Sequence, residues 1–213
     1  MKDVLLIADL HGQFGKIDSF LELNPEAVFI AGDITNMGPV DTVDDVLSRI
    51  DVPCFAVPGN CDPKEILDTL EHSDAVCLHG AQMNLGKMSL VGVGGSNPTP
   101  FNTPFELTDK QIDDLLNGAM AKMEKTVHNV LISHAPPYET LDLANGEHVG
   151  SQSIRRHMKD FDLVCCAHIH EQRGVMDVDG VKIVNPGPAM DGYCAMLHFG
   201  TEAKDIKVEL LTV

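Results

Sequence analysis

Five short apolar runs each end in a residue that can bind a metal ion. "VLLIADLHG" ends in Asp9 and His11, "AVFIAGDI" in Asp33, "CFAVPGNCD" in Asn60, "NVLISHAPP" in His134, and "LVCCAHIH" in His168 and His170. A run built to be buried does not end in an imidazole, a carboxylate or an amide five times without a reason. Between the runs lie amphipathic stretches, and that alternation argues for an α/β domain. Strands are predicted at 4–8, 27–31, 54–57, 89–93, 130–133, 163–167, 182–184, 194–199 and 207–211. Helices are predicted at 16–23, 40–50, 63–71, 109–125 and 151–159, with Asp62, Thr108 and Ser151 as start signals. The short strand-to-helix junctions fit right-handed crossovers in a mainly parallel sheet. From about Val175 the helices stop, and the remaining strands are expected to form a second sheet packed on the first.

In an open α/β sheet, ligands bind beyond the carboxyl ends of the strands. Asp9, Asp33, Asn60, His134 and His168 are therefore expected along one edge. In extended chain, residues i and i+2 share a side, so Asp9 projects with His11, and His168 with His170. A single histidine at a strand end is more often structural than a ligand, but seven such residues on one edge are not expected by accident. Two carboxylates, one amide and four imidazoles suit Mn, Fe, Zn, Co or Ni, manganese foremost. Seven ligands exceed the needs of one ion and match two divalent ions sharing a carboxylate.

Composition supports the same direction. The formal net charge is −17 over 213 residues, with no basic run. Duplex nucleic acid is not expected as a partner, because its binding draws on Lys and Arg at the phosphates. An anionic substrate here needs positive charge from another source, and bound metal supplies it. The length and the apolar fraction of 44% predict one domain over 1–213. The run from Val4 to Leu10 is too short for a membrane span or signal core, and the six cysteines form no C-x-x-C pair, so a cytoplasmic protein with reduced thiols is expected. Nothing in the sequence specifies an oligomeric state.

The motifs "DLH" (9–11), "GD" (32–33), "GNCD" (59–62), "SH" (133–134) and "AHIH" (167–170), in this order and followed by "NPG" (185–187), resemble those of the calcineurin-like metallophosphoesterases. That resemblance implies a four-layer α/β-β/α sandwich: two mixed sheets flanked by helices, with the metal site at the strand carboxyl ends. It implies Asp9, His11 and His170 on one metal and Asn60, His134 and His168 on the other, with Asp33 bridging. It also implies hydrolysis of a small phosphoester by in-line attack of a metal-bridging hydroxide. Two positions depart from the pattern. Ala167 replaces a glycine, and Cys61 replaces a histidine that contacts substrate in many members. The Cys61 variant resembles the branch with small bacterial and archaeal phosphodiesterases, and diesters are the expected substrates. A non-catalytic interaction module on the same fold, as in a retromer subunit, is the alternative; intact ligands count against it.

Other residues carry two readings each. Cys61 is either an inert neighbour of the site or a thiol that titrates low beside metals. Asp62 reads as a helix cap ahead of Pro63. Two long loops, 92–106 and 134–150, read as functional rims. In the second, His148 is either an exposed loop histidine or a substrate contact and the missing proton donor. Asn97, in the first, is a weaker substrate contact of the same kind.

Overall fold

The apolar runs become the parallel centres of two six-stranded sheets in a computed structural model that describes residues 2–213. Strands β1 (Asp3–Ile7), β2 (Ala27–Ala31), β3 (Cys54–Val57) and β4 (Ala75–Cys77) lie side by side in chain order, all parallel. The chain then builds the second sheet from β5 (Ala81–Leu85), β6 (Met88–Val93) and β7 (His128–Ser133). A small hairpin, β8 (Leu143–Ala144) with β9 (Glu147–His148), precedes β10 (Leu163–Cys165), β11 (Gly174–Val178) and β12 (Val181–Asn185) of that sheet. Finally β13 (Tyr193–Phe199) and β14 (Ile206–Thr212) return to the first sheet, antiparallel beside β1. In the second sheet β6, β7, β10 and β12 are parallel, with β5 and β11 as antiparallel edges.

Parallel strands laid down in chain order keep their crossovers on one face. Helices α1 (Ile17–Leu21), α2 (Val43–Leu47) and α3 (Ile66–His72) belong to the crossovers of the first sheet; α4 (Asp109–Met120) and α5 (Gln152–His157) belong to the second. The sheets meet on their other faces. Val4, Leu6 and Ala8 of the first run pack with Phe29, Phe55, Leu90, Ile132 and Leu163 between the sheets. Leu5 and Ile7, pointing the opposite way, pack with Ile17 and Phe20. Both faces are dry, which is why these strands read as unbroken apolar runs rather than as alternation.

Three expectations change here. The strands after Val175 do not make a sheet of their own: β11 and β12 extend the second sheet while β13 and β14 extend the first. Pairing of β13 with β1 joins the two ends of the chain, and no local pattern encodes it. Helix α2 is confined to Val43–Leu47, and α4 stops at Met120. Asp62 caps no helix, because α3 starts at Ile66 behind Glu65. The other start signals hold. Thr108 and Gln111 form a reciprocal capping box, and Ser151 accepts from the Ile154 N–H. Among the described residues no helix is long and apolar enough to cross a membrane.

Candidate metal centre

Each of the seven residues lies just past the carboxyl end of a parallel strand. Asp9 and His11 follow β1, Asp33 follows β2 and Asn60 follows β3; His134 follows β7, and His168 and His170 follow β10. The chain does not stay extended there. Asp9 (φ 54°), His11 (φ 46°), Asp33 (φ 50°) and His168 (φ 72°) are left-handed, a conformation that side chains other than glycine adopt at a cost of about 1–3 kcal/mol each. The backbone holds them there. Asp9 N–H donates to Gly32 O (3.0 Å), His11 N–H to Asp33 O (2.9 Å) and Met190 N–H to Asp9 O (3.2 Å). These turns, rather than strand pleat, set the partners. His170 meets His11, Nε2 to Nε2 at 3.3 Å, whereas the His168 ring stacks toward His134 with centroids 5.1 Å apart. Leu10 packs into the apolar interior, whereas Ile169, also buried, borders the groove described below.

Asp33 stands between two groups of lone pairs. Its Oδ2 lies 3.6 Å from His11 Nε2, and its Oδ1 lies 3.5 Å from His134 Nε2. On the first side Asp9 Oδ1 is 3.7 Å from His170 Nε2, beyond hydrogen-bond range. Both Asp9 carboxylate oxygens are buried without a hydrogen-bond partner. On the second side His134 Nδ1 donates to Ala31 O (2.8 Å), which fixes the ring and leaves Nε2 directed into the site. Asn60 Nδ2 donates to Thr103 Oγ1 (3.1 Å), which turns Oδ1 to face that Nε2 at 2.8 Å. Unpartnered carboxylate oxygens, an amide oxygen and imidazole nitrogens thus converge on one buried site. An unpaired buried carboxylate is expensive, and divalent cations offset that cost. The donor set of carboxylate oxygen, amide oxygen and imidazole nitrogen fits such ions.

Electrostatics agree with this geometry. Burial raises the Asp9 pKa, but His170, His134 and His11 outweigh it and hold the carboxyl below its usual range. Burial, then His134, pushes His168 down to about 3, so its ring is neutral with a lone pair to give. Cys61 Sγ lies with His11 and Asp33, their ligand atoms all within 4.8 Å of one another, so the thiol belongs to the site rather than beside it. Burial and the Asp33 charge push its pKa up.

The supporting roles of Asp62 and Asn185 emerge only from the structure, although both lie in the quoted motifs; Thr103 carried no sequence signal. Asp62 Oδ2 accepts from Gly59 N–H (2.7 Å) and Ile34 N–H (3.2 Å), and its Oδ1 from Thr35 N–H (2.7 Å) and Thr35 Oγ1–H (2.9 Å). It ties the loop carrying Asp33 to the loop carrying Asn60. Asn185, in the "NPG" motif, donates to Ile169 O (2.9 Å) and steadies the turn between the last two histidines. Thr103 orients Asn60 and in turn donates to Glu106 Oε1 (2.8 Å). Orienting partners of this kind are typically worth ten- to a hundredfold in metal affinity. We expect Thr103→Val to weaken metal binding by about that factor, read by titrating metal-stripped protein, with a melting temperature close to wild type before metal is added.

The rim loops flank a groove of about 370 Å³ that opens beside the centre and has Asn60 and His168 in its lining. Asn97 borders it, with a buried Oδ1 that has no partner. His148 does not. The hairpin pleat places Glu147 and Val149 along the groove, while His148 Nδ1 pairs with buried Asp142 at 2.6 Å. The remaining histidines have structural partners: His72 with Asp68 O, His79 with Gly94 N–H, His128 with Gly200 O, His157 with Asp113 and His198 with Asp3. Arg156 pairs with Asp113 across α4 and α5.

Comparison with known proteins gives the family and the fold. A model of the calcineurin-like phosphoesterase family matches residues 2–172. The chain is 36% identical over 193 residues to the uncharacterized protein MJ1162 of Methanocaldococcus jannaschii, covering 85% of this chain and 86% of that one. The chain belongs to the calcineurin-like phosphoesterases. Its fold is shared with TT1561 of Thermus thermophilus, at a TM-score of 0.75 and 17% identity, each chain covered to 98%. It is also shared with a dimetal phosphatase from Danio rerio, at a TM-score of 0.65 and 11% identity, over 99% of this chain and 98% of that one. The family's chemistry is metal-dependent hydrolysis of phosphoesters, and the chain carries candidate groups for divalent ions.

Proposed function

We propose that this protein is a dinuclear metal-dependent phosphodiesterase acting on small substrates, with manganese as the favoured metal. The observation that carries the reading is Asp33, whose two oxygens face two separate sets of lone pairs. In this reading Asp9, His11 and His170 hold one ion, Asn60, His134 and His168 the other, and Asp33 both. Bound ions of this kind acidify water for attack on phosphorus and neutralise the phosphate. The chain's own part is to fix the ligands with Asp62, Thr103 and Asn185, to keep His168 neutral, and to shape the groove. Asn97, partly exposed on the groove wall, is proposed to contact the substrate; His148, outside the groove lining, is assigned no role in proton transfer. The net charge of −17 continues to disfavour duplex nucleic acid, and six free cysteines suit the cytoplasm.

Cys61 supports the diester preference. A monoester dianion benefits from a cationic proton donor at the leaving oxygen, and a neutral thiol is a poor one. With metal-stripped protein re-supplied with one of Mn, Ni, Co, Fe or Zn at a time, kcat/KM should be higher for an aryl diester than for the matching monoester. Cys61→His should raise monoester turnover relative to diester turnover. A wild-type preference for the monoester overturns the diester reading. Absence of cleavage with every metal favours the interaction-module alternative.

A further inference from the structure

The groove beside the metal centre contains more information about the substrate than the centre does. Its volume, about 370 Å³, lies near the small end of the range of about 300–1,000 Å³ for small-molecule sites. Among the described residues no lysine or arginine borders it, and Glu147 is its one carboxylate. Glu147 is exposed, and among the described residues its carboxylate makes no ion pair or hydrogen bond, in contrast to its neighbour His148. Phe101, 78% exposed, and Val149, 40% exposed, line the same groove and present apolar surface to water. The loop bearing Phe101 is pinned: Glu106 Oε1 accepts from Thr99 Oγ1–H (2.7 Å) and Thr103 N–H (2.9 Å). The aromatic ring is therefore displayed from a fixed support rather than from a loose tip.

We propose that the groove selects phosphodiesters whose second alcohol carries an alkylammonium group; this rests on the phosphodiesterase reading above. Phosphate requires positive charge at the centre, whereas the groove next to it offers a free carboxylate and an open aromatic face. That pair recognises a methylated or primary ammonium by charge and by cation–π attraction, with Val149 against its methyl or methylene groups. A second phosphate, as in a nucleotide polyphosphate, would meet Glu147 with no basic side chain to balance it. The substrate that matches both parts is zwitterionic, anionic at phosphorus and cationic at the alcohol.

The test uses three p-nitrophenyl phosphodiesters that differ only in the second alcohol: choline, its uncharged 3,3-dimethylbutyl isostere, and a carboxyalkyl chain of similar length. Hydrolysis adds a water oxygen to phosphorus, breaks the P–O bond to nitrophenolate and leaves the other ester intact, so one absorbance reads all three. With Mn-loaded enzyme, kcat/KM should fall from choline to isostere by about five- to tenfold, and further for the carboxylate. Glu147→Gln should bring the choline-to-isostere ratio toward one. In metal-free protein, choline chloride at millimolar concentration should show NMR line broadening that Glu147→Gln abolishes. Equal cleavage of the three esters, preference for the carboxylate, a ratio that survives Glu147→Gln, or the absence of choline broadening each overturns this inference alone. No cleavage of any ester, the isostere included, overturns the phosphodiesterase reading and this inference with it.

Discussion

Asp33→Asn is expected to abolish hydrolysis, with kcat down by at least about 10³-fold, while the protein stays folded. Removing a single oriented charge-stabilising group elsewhere costs about 10²–10³-fold, and Asp33 faces both halves of the centre. An asparagine keeps an oxygen to accept from Cys61 N–H, which Asp33 Oδ1 does at 2.7 Å. Its amide N–H groups would then face His11 Nε2 and occupy a lone pair that a cation needs. Metal content by elemental analysis should drop to one ion or none. The melting temperature without metal should match or exceed wild type, because a buried negative charge beside Asp62 and Asp9 is gone. Added metal should then raise it less than in wild type, since a ligand stabilises only in proportion to its affinity for the native state. Wild-type turnover with two ions still bound would sink the bridging role assigned to Asp33.

Gly59→Ala is expected to damage both stability and site, although it adds one methyl group. A Cβ at residue 59 would overlap Asp33 Oδ1 and Asp33 N, and a Cβ at Gly32 would come within 2.7 Å of the Gly59 backbone. The loops after β2 and β3 touch backbone to backbone at this point. Neither can retreat, because Asp62 is hydrogen-bonded to both. Overpacking of this kind typically costs about 1–3 kcal/mol, and the displaced Asp33 should lose metal as well. Gly118→Ala is the control. Gly118 lies inside α4 with open space where its Cβ would be, so the same substitution should stabilise by up to about 1 kcal/mol. Chemical denaturation of the two variants should give opposite signs.

Legibility differed with the range of the interaction concerned. Strands β2 and β3 matched their predicted bounds because both faces are buried and the apolar run has no gaps. The edge strand β5, "AQMNL", was missed; it is only half buried and its side chains are mixed. The helix starts at Thr108 and Ser151 could be read from neighbours three residues away, whereas Asp62 misled because Asp-Pro has the same look as a cap. All seven proposed ligands could be located from strand ends, and the structure brings them to one edge. Which histidine meets which follows from the family resemblance and not from strand pleat, because the pairing depends on left-handed turns at Asp9, His11 and His168. Thr103 and Glu106 were invisible for a plainer reason: the contact from Asn60 to Thr103 spans 43 residues and leaves no local pattern.

The ligand residues are divided between the sheets by chemistry as well as by position. The first sheet supplies both carboxylates, the amide and one imidazole, and the second supplies imidazoles only. An ion bound at His134 and Asn60 would fasten together segments 74 residues apart, much as a rivet joins two plates. Sheet packing has already brought those segments together, so little further chain entropy is lost when the ion arrives. Escape is a different matter. To separate the sheets, the chain would have to break contacts on both sides of the seam at once, so loading the centre should slow unfolding more than it speeds folding.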